Sequence, residues 1–345
     1  MSKQLYYLAQ TFPVTFNAGA KPTDDFEAVL ERNGARNIGR RKRSFPTHGE
    51  AVAYSRWSRL AALTRMPWHS VMVLQYPEQP SLRLLHALAR MKGNKVVYLV
   101  HDINTLRQNP RRNYYRELRQ ADAVIVHTEA MARWLREEHG VTSTIVLGIF
   151  DYLQEQLPPR HVAPYHERPR RVAFAGNLVK SAFLEKLPFG TDSDIELVLY
   201  GKDPTDAMRE HPAVDYKGAC QPHELPERIA GCHFGLVWDG IDTDCCSGNY
   251  GNYLRYNAPY KLSSYVAAGL PIVVWSQMAI ASFVEREGIG VAVDSLADLP
   301  ARLDSLSADD YARMRANVER VQQQISHGHY YTEALKEALR RVSDE

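Results

Sequence analysis

Apolar residues arrive along this chain in short unbroken runs, and the stretches between them carry apolar positions at helical spacing. Residues 4–8, 70–74, 95–100 and 123–126 are such runs, the pattern of strands buried on both faces of a parallel sheet. Between them, residues 24–33, 49–65 and 80–91 read as helices, the second amphipathic with apolar positions at Val52, Leu60 and Leu63. Thr23 or Asp24 is the expected cap of the first and Gly34 its stop. The βαβαβ alternation predicts a doubly wound layer.

The composition changes after Ile149. Residues 154–171 carry Pro158, Pro159, Pro164 and Pro169 among His, Arg and Glu, which reads as a semi-rigid linker. Alternation then resumes, with strands expected at 171–175, 195–200, 214–217, 233–237, 272–275 and 290–293 and helices at 222–230, 260–268, 279–285 and 309–326. A charged helix at 332–342 closes the chain. The expected division is an N-terminal domain over 1–153, a linker over 154–170, a C-terminal domain over 171–326 and a tail over 327–345.

Bulk properties narrow the class without choosing a chemistry. A chain of 345 residues, 45% apolar and 24% charged, has core enough for two domains. A net charge of +2 does not point to a nucleic-acid protein. No run approaches the ~20 apolar residues of a membrane span, and the start lacks the apolar region of a signal peptide. Cys220, Cys232, Cys245 and Cys246 have neither metal spacing nor a Cys-x-x-Cys pair, so reduced thiols in a cytoplasmic protein are expected. Tyrosine, at 19 residues against 10 phenylalanines, suits sugar and base stacking but equally suits cores.

The most informative run spans Asn257 to Trp275. Pro259 fits a first helical turn, and Lys261 then stands beside N–H groups that lack intrahelical partners. A lysine there opposes the helix dipole unless an anion is shared between them. Ala267, Ala268 and Gly269 close the helix, and Pro271 opens an apolar strand. An ordinary surface lysine is the competing reading.

This run resembles the sugar-nucleotide half of GT-B glycosyltransferases, where a P-x-K-L-x-x-Y-x-A-x-G-x-P helix and strand grip the diphosphate. The words Cys246-Ser247-Gly248-Asn249-Tyr250-Gly251 and Tyr256-Asn257 make it similar to the bacterial glucosyltransferase-3-like and β-1,6-galactofuranosyltransferase group. The resemblance implies an α/β fold of the GT-B type, with two Rossmann-like domains facing a central cleft and a C-terminal helix crossing back to the first. It implies donor contacts from Asn177, Lys180, Tyr200, Gly201, Gly218, Tyr256, Asn257 and Lys261. Many GT-B enzymes hold the ribose with a glutamate three residues after the lysine. Ser264 stands there, so ribose recognition is expected from elsewhere.

Loops after strands are where such a fold places chemistry. The word Asn17-Ala18-Gly19-Ala20-Lys21 matches the family's N-A-G-x-K, which places Asn17 and Gly19 near sugar or acceptor; a plain connecting turn is the alternative. His101-Asp102-Ile103-Asn104-Thr105-Leu106-Arg107 resembles the family's H-D-I-x-x-L-R. A carboxylate at a strand end can deprotonate an attacking hydroxyl, so Asp102 is the candidate base, His101 the reserve and Arg107 an acceptor-side group. Capping of the next segment by Asp102 is the structural alternative. Asp122 and Thr128 read as structural, Thr128 as a helix cap.

Gly176-Asn177-Leu178-Val179-Lys180-Ser181 is a plausible phosphate cradle. It lacks the spacing of a P-loop, and no Gly-x-Gly-x-x-Gly occurs, which counts against a dinucleotide dehydrogenase. Asp239, Asp242 and Asp244 lack the spacing of a calcium loop and read as a solvated loop. No cofactor or metal is expected. Arg36, Arg40, Arg41, Lys42 and Arg43 admit a solvated loop, a nucleic-acid signal, anionic lipid or a phosphate-bearing acceptor.

The sequence therefore points to transfer of a hexose, galactofuranose or glucose, from a UDP-sugar to a glycan, lipid-linked or glycoprotein hydroxyl, with inversion implied by the resemblance. The expected setting is the cytoplasm or the inner face of the membrane, with peripheral membrane contact and a homo-oligomer left open and nucleic acid excluded. A GT-B sugar-nucleotide 2-epimerase and a non-catalytic sugar-nucleotide-binding subunit are the alternatives.

Overall fold

The structure, a computed structural model, describes residues 4–10, 20–39, 45, 47–77, 82–107, 115–159, 164–190 and 193–343. Two compact units emerge: Met1–Asp151 together with Gly328–Glu345, and Tyr152–His327.

The first unit is built on a parallel sheet of β1 (Leu5–Tyr7), β2 (Arg36–Asn37), β3 (Val71–Tyr76), β4 (Lys95–Val100), β5 (Ala123–Val126) and β6 (Thr144–Val146), in the order β2-β1-β3-β4-β5-β6. Every residue of β3 and β5 is buried, as unbroken apolar runs require. The edge strands β2 and β6 have only two and three residues, too short to leave a period in the sequence. Helices α1 (Ala20–Arg32), α2 (His48–Arg65), α3 (Leu82–Met91), α4 (Tyr115–Arg119) and α5 (Glu129–His139) connect them. Helix α1 starts earlier than expected, so Thr23 and Asp24 lie inside it rather than capping it. Pro22 sits in its first turn, where a missing N–H costs nothing. Thr128 does cap α5, accepting from Met131 N at 3.2 Å. Asp122 ties α3 to β4 through Arg90 and the amide of Val96, at 2.6 and 2.7 Å.

The second unit carries β7 (Arg170–Asn177), β8 (Ile195–Lys202), β9 (Val214–Tyr216), β10 (Phe234–Val237), β11 (Ile272–Trp275) and β12 (Gly290–Val293), in the order β12-β11-β10-β7-β8-β9. Counted within the unit this is 3-2-1-4-5-6 from the β9 edge, the doubly wound order whose direction reverses between β7 and β10. Its helices are α6 (Asp206–Glu210), α7 (Leu225–Ile229), α8 (Gly248–Tyr253), α9 (Tyr260–Ala267), α10 (Ala281–Glu287), α11 (Leu299–Asp304) and α12 (Ala308–His327). Part of the proline-rich stretch belongs to this unit. Tyr165 stacks on Tyr311 at 4.8 Å, and buried Arg170 pairs with Asp304 at 2.5 Å.

The last helix, α13 (His329–Ser343), packs on β5, β6 and α1 of the first unit, the return that the resemblance implies. Phe26 meets Tyr331 at 5.0 Å, and the Tyr331 hydroxyl donates to Pro22 O at 3.1 Å. The first N–H groups of a helix need outside acceptors. Here the fully buried Asp151 supplies them, accepting from Tyr330 N at 3.2 Å and Tyr331 N at 2.6 Å. Burial pushes the Asp151 carboxyl up to about 8, and the two N–H bonds pull the other way. Replacing Asp151 by Leu is expected to cost about 1–3 kcal/mol, the penalty of buried donors left unmet. Asp151→Asn should cost less than half of that. Urea unfolding of the two variants measures the difference, and equal losses would show that the bonds to α13 do not matter.

Candidate donor site and catalytic face

In the second unit β7 and β10 pair only through Val172–Phe234 and Ala173–Gly235, and beyond that point they separate. The freed Ala175 N–H is taken by the Tyr265 hydroxyl at 2.8 Å. That bond fastens α9 across the gap. The helix comes close because β10 has no side chain in its way: a Cβ on Gly235 would stand 2.4 Å from the Tyr265 ring. Ligands of open α/β sheets settle at such reversal points, at the carboxyl ends of the strands.

Lys261, at the start of α9, reaches into this gap. Its ammonium donates to Trp238 O and Asp239 Oδ1, both at 2.9 Å, and lies 4.6 Å from the centre of the Phe174 ring. Only 13% of its side chain and 9% of that of Asp239 remain exposed, so each charge depends on the other. Desolvation lowers the Lys261 pKa, and Asp239 opposes that shift. Pro259 is the cap of α9 rather than part of its first turn, and it offers no side-chain acceptor there. The N-cap of α9 therefore leaves its start without a side-chain cap, and Lys261 is the second residue of the helix.

Gly176 and Asn177 end β7 beside this group. A Cβ on Gly176 would lie 3.8 Å from the Lys261 ammonium. Asn177 Oδ1 accepts from Val179 N at 3.1 Å and turns the chain into a 3-10 segment, Leu178–Lys180. Lys180 then stands over the Tyr250 ring at 4.8 Å. Gly201 is in register with Gly176 on β8, and its N–H donates to Gly218 O at 3.0 Å. Only glycine fits at 201, since a Cβ would meet Gly176 O at 2.5 Å. Tyr200 is buried one residue earlier, and burial raises its pKa. Gly218 adopts a φ of +83° with open space around it. Tyr256 and Asn257 lie in the turn between α8 and α9, and Asn257 Oδ1 is buried with no hydrogen-bond partner among the described residues. Ser264 Oγ donates to Lys261 O at 2.7 Å, within its own helix.

The first unit holds a separate constellation. His101 follows β4, and its Nε2 lies 2.6 Å from Gln75 Oε1, while Gln75 donates to Glu27 Oε1 at 3.1 Å. Asp102 is bonded to Arg107, the last residue of the same word. About a third of the Asp102 side chain, 35%, faces solvent, enough to receive a substrate proton. His101 is held by Gln75 and flanked by Phe150. Asn17, Gly19 and the basic run Arg40–Arg43 lie outside the described residues.

The family description "Glucosyltransferase 3-like, N-terminal domain" matches residues 6–149, and "Glucosyltransferase 3-like, C-terminal domain" matches residues 172–338. The chain belongs to the glucosyltransferase 3-like family. Among curated relatives, the chain is similar to the β-1,6-galactofuranosyltransferase WbbI of Escherichia coli (strain K12), 30% identical over 280 residues, covering 78% of this chain and 79% of that one. Glucosyltransferase 3 of Streptococcus gordonii is 25% identical, covering 72% of each. Among solved structures, an α-glucosyltransferase in complex with UDP and a 13-mer DNA aligns with a TM-score of 0.60 at 13% identity, over 99% of this chain and 100% of that one. Anabaena Alr3699/HepE in complex with UDP-glucose aligns with a TM-score of 0.55 at 14% identity over the same shares. These likenesses show the GT-B fold.

Within this glucosyltransferase 3-like chain the aspartate loop corrects the sequence reading. Asp239 is buried against Lys261, whereas Asp242 is half exposed and accepts from Ser247 at 2.6 Å. Part of the loop is helical, as α8. A residue following an apolar strand and Trp238, in a chain that also needs a partner for a buried lysine, was the available signal for Asp239. Tyr265 stood in the sequence as the tyrosine of the lysine-helix motif with nothing to mark its reach to Ala175, and Phe174 only as an apolar strand position.

The imidazoles at β4 and β5 give the first unit a pH dependence. Desolvation holds His101 down at about 3 and His127 at about 4, against 6.5 for an ordinary histidine. Below about 6.5 the unfolded chain binds more protons at these two sites than the folded one, so their contribution to stability is complete above about 6.5 and falls as the pH drops toward 3. The Asp151 carboxyl of the same unit, raised to about 8, acts in the opposite sense, so the histidine contribution is read as the difference between parent and variant in urea unfolding from pH 7 to 4. In His127→Gln the slope should flatten; an unchanged slope would remove the assignment.

Proposed function

We propose that the chain transfers a hexose from a UDP-sugar to a hydroxyl of a glycan or lipid-linked saccharide, with inversion and without a metal. The observation that carries the reading is the Lys261 ammonium beside an uncapped helix start, with Lys180 and the end of β7 around it. A departing diphosphate needs preorganised positive charge, usually the largest single contribution to such catalysis. Lys180, Lys261 and the start of α9 supply it, and Gly176 leaves the end of β7 without a side chain beside the ammonium. The orphaned Asn257 oxygen is an acceptor that a sugar hydroxyl or ribose would satisfy, which bears on ribose recognition given Ser264. Asp102 takes the proton of the attacking hydroxyl, and Arg107 orients it. His101, held neutral, serves as the reserve. A direct displacement by a base-activated hydroxyl inverts the anomeric centre. The curated relatives are named as a galactofuranosyltransferase and a glucosyltransferase, which supports either hexose.

The test is UDP release from UDP-glucose, UDP-galactofuranose and UDP-N-acetylhexosamines with mixed bacterial glycan acceptors, the anomeric configuration of the product being read by NMR. Lys261→Ala should weaken UDP binding about 10–100-fold, the range for a hydrogen bond to a charged group. Unchanged affinity would remove the diphosphate assignment. Asp102→Asn should lower turnover by ~10²–10⁴ with UDP affinity kept, as for loss of a general base. Chelator should leave the rate unchanged. A free 2-epimer without acceptor would favour the epimerase, and UDP-sugar binding with no transfer the non-catalytic subunit.

A further inference from the structure

Five of the eight exposed large apolar side chains among the described residues gather on α2, the turn after it and α3. Trp57 is 60% exposed and Leu60 53% on α2; Trp68 is 63%, Leu84 56% and Met91 80%. Trp57, Leu60 and Thr64 follow helical spacing along the outward side of α2, opposite buried Ala51, Ser58 and Ala62. On α3, Leu84 and Met91 are two turns apart, on the side away from buried Leu85 and Ala89. The two helices are joined at their carboxyl ends. Lys92 Nζ donates to Met66 O at 2.6 Å and stands 5.3 Å from the Trp68 ring, and Asn94 donates to Pro67 O at 2.8 Å.

The charge of this face has one sign. Residues 47–77 and 82–95 contain seven Lys and Arg and a single acid, Glu50, in a chain whose net charge is only +2. Arg83, Arg90 and Lys95 are tied to Glu117 and Asp122. The cations beside the tryptophans are held differently. Arg65 donates to Gly39 O at 3.2 Å and Lys92 to Met66 O, so carbonyls orient them and leave their charge intact. Arg56 is exposed beside Trp57.

We infer that this face docks the first unit on an anionic lipid surface, the tryptophans, Leu60 and Met91 entering the headgroup boundary while Arg56, Arg65 and Lys92 meet lipid phosphates. Amphipathic rings of Trp settle at that depth, and basic side chains add electrostatic attraction. The alternatives fit less well. Two copies meeting through this face would bring like charges together, and the cores of protein interfaces are depleted in Lys. A nucleic-acid backbone would leave Leu60, Leu84 and Met91 without an apolar partner.

The test uses the full chain with vesicles of phosphatidylcholine alone or mixed with phosphatidylglycerol, followed by co-sedimentation and tryptophan emission. Binding is expected to the anionic vesicles, with a blue shift, and to weaken as salt is added. Arg56→Gln should lower binding about fivefold, the worth of one basic residue near such a surface. The double variant Trp57→Ser, Trp68→Ser should abolish the shift and most of the binding while UDP affinity and thermal melting stay as they were. If that variant fails to fold, the Arg56→Gln comparison and the salt series decide. The inference is overturned if the chain ignores anionic vesicles at low salt or if both variants bind as well as the parent. It is equally overturned if a DNA duplex retains the chain and vesicles do not, or if sedimentation shows a dimer that the tryptophan variant dissolves.

Discussion

An ammonium removed from water must be given partners, and the arrangement of the second unit follows from how Lys261 is given them. Its two acceptors, Trp238 O and Asp239 Oδ1, come from the end of β10, so the helix that carries the lysine must stand directly over that strand. Gly235 makes the approach possible and Tyr265 fixes it by reaching across to Ala175. The separation of β7 from β10 is thus held open by a helix rather than left to collapse. A buried pair of this kind adds little net stability, because desolvation consumes much of the Coulomb gain. Its value lies in holding one positive charge ready at the end of the sheet, at a helix start whose N-cap proline offers no side-chain acceptor.

The two units use the strand-end rule in different ways. In the second, charge and backbone N–H groups converge around the reversal of strand order. In the first, the residue that follows β4 opens a chain of hydrogen bonds, His101 to Gln75 to Glu27, beside an ion pair, Asp102 with Arg107. Neutral imidazoles fit that setting, since burial keeps both His101 and His127 from charging. A carboxylate that keeps a third of its surface in water stays available to a substrate, whereas one such as Asp151 is committed to the fold.

Much of this architecture could be read from residue order. Buried parallel strands write themselves as unbroken apolar runs, so β3, β4, β5, β8 and β11 were visible. The short edges β2 and β6 were not, because two or three residues carry no period. Helix ends were legible where a side chain closes them, as at Thr128, and misplaced at α1, where the chain enters through Pro22 without a cap in the described residues. The lysine helix was legible because its motif sets a cation at the wrong end of a dipole. Its partner Asp239 was not, since spacing alone cannot tell a buried aspartate from its solvated neighbours Asp242 and Asp244. Pairings over long separations, such as Ala175 with Tyr265, become visible only when the chain is folded.

The return of α13 to the first unit has a bearing on the order in which the molecule is made. Residues up to Asp151 emerge from the ribosome first, but the helix that covers β5 and β6 and bonds to the Asp151 carboxyl is synthesised only after the whole second unit. The second unit, being continuous, has all its strands before that moment. An unfinished first unit therefore waits with an exposed sheet face through the synthesis of its neighbour, a period in which non-native association competes with folding. Synthesis of α13 itself becomes the step that seals the amino-terminal half.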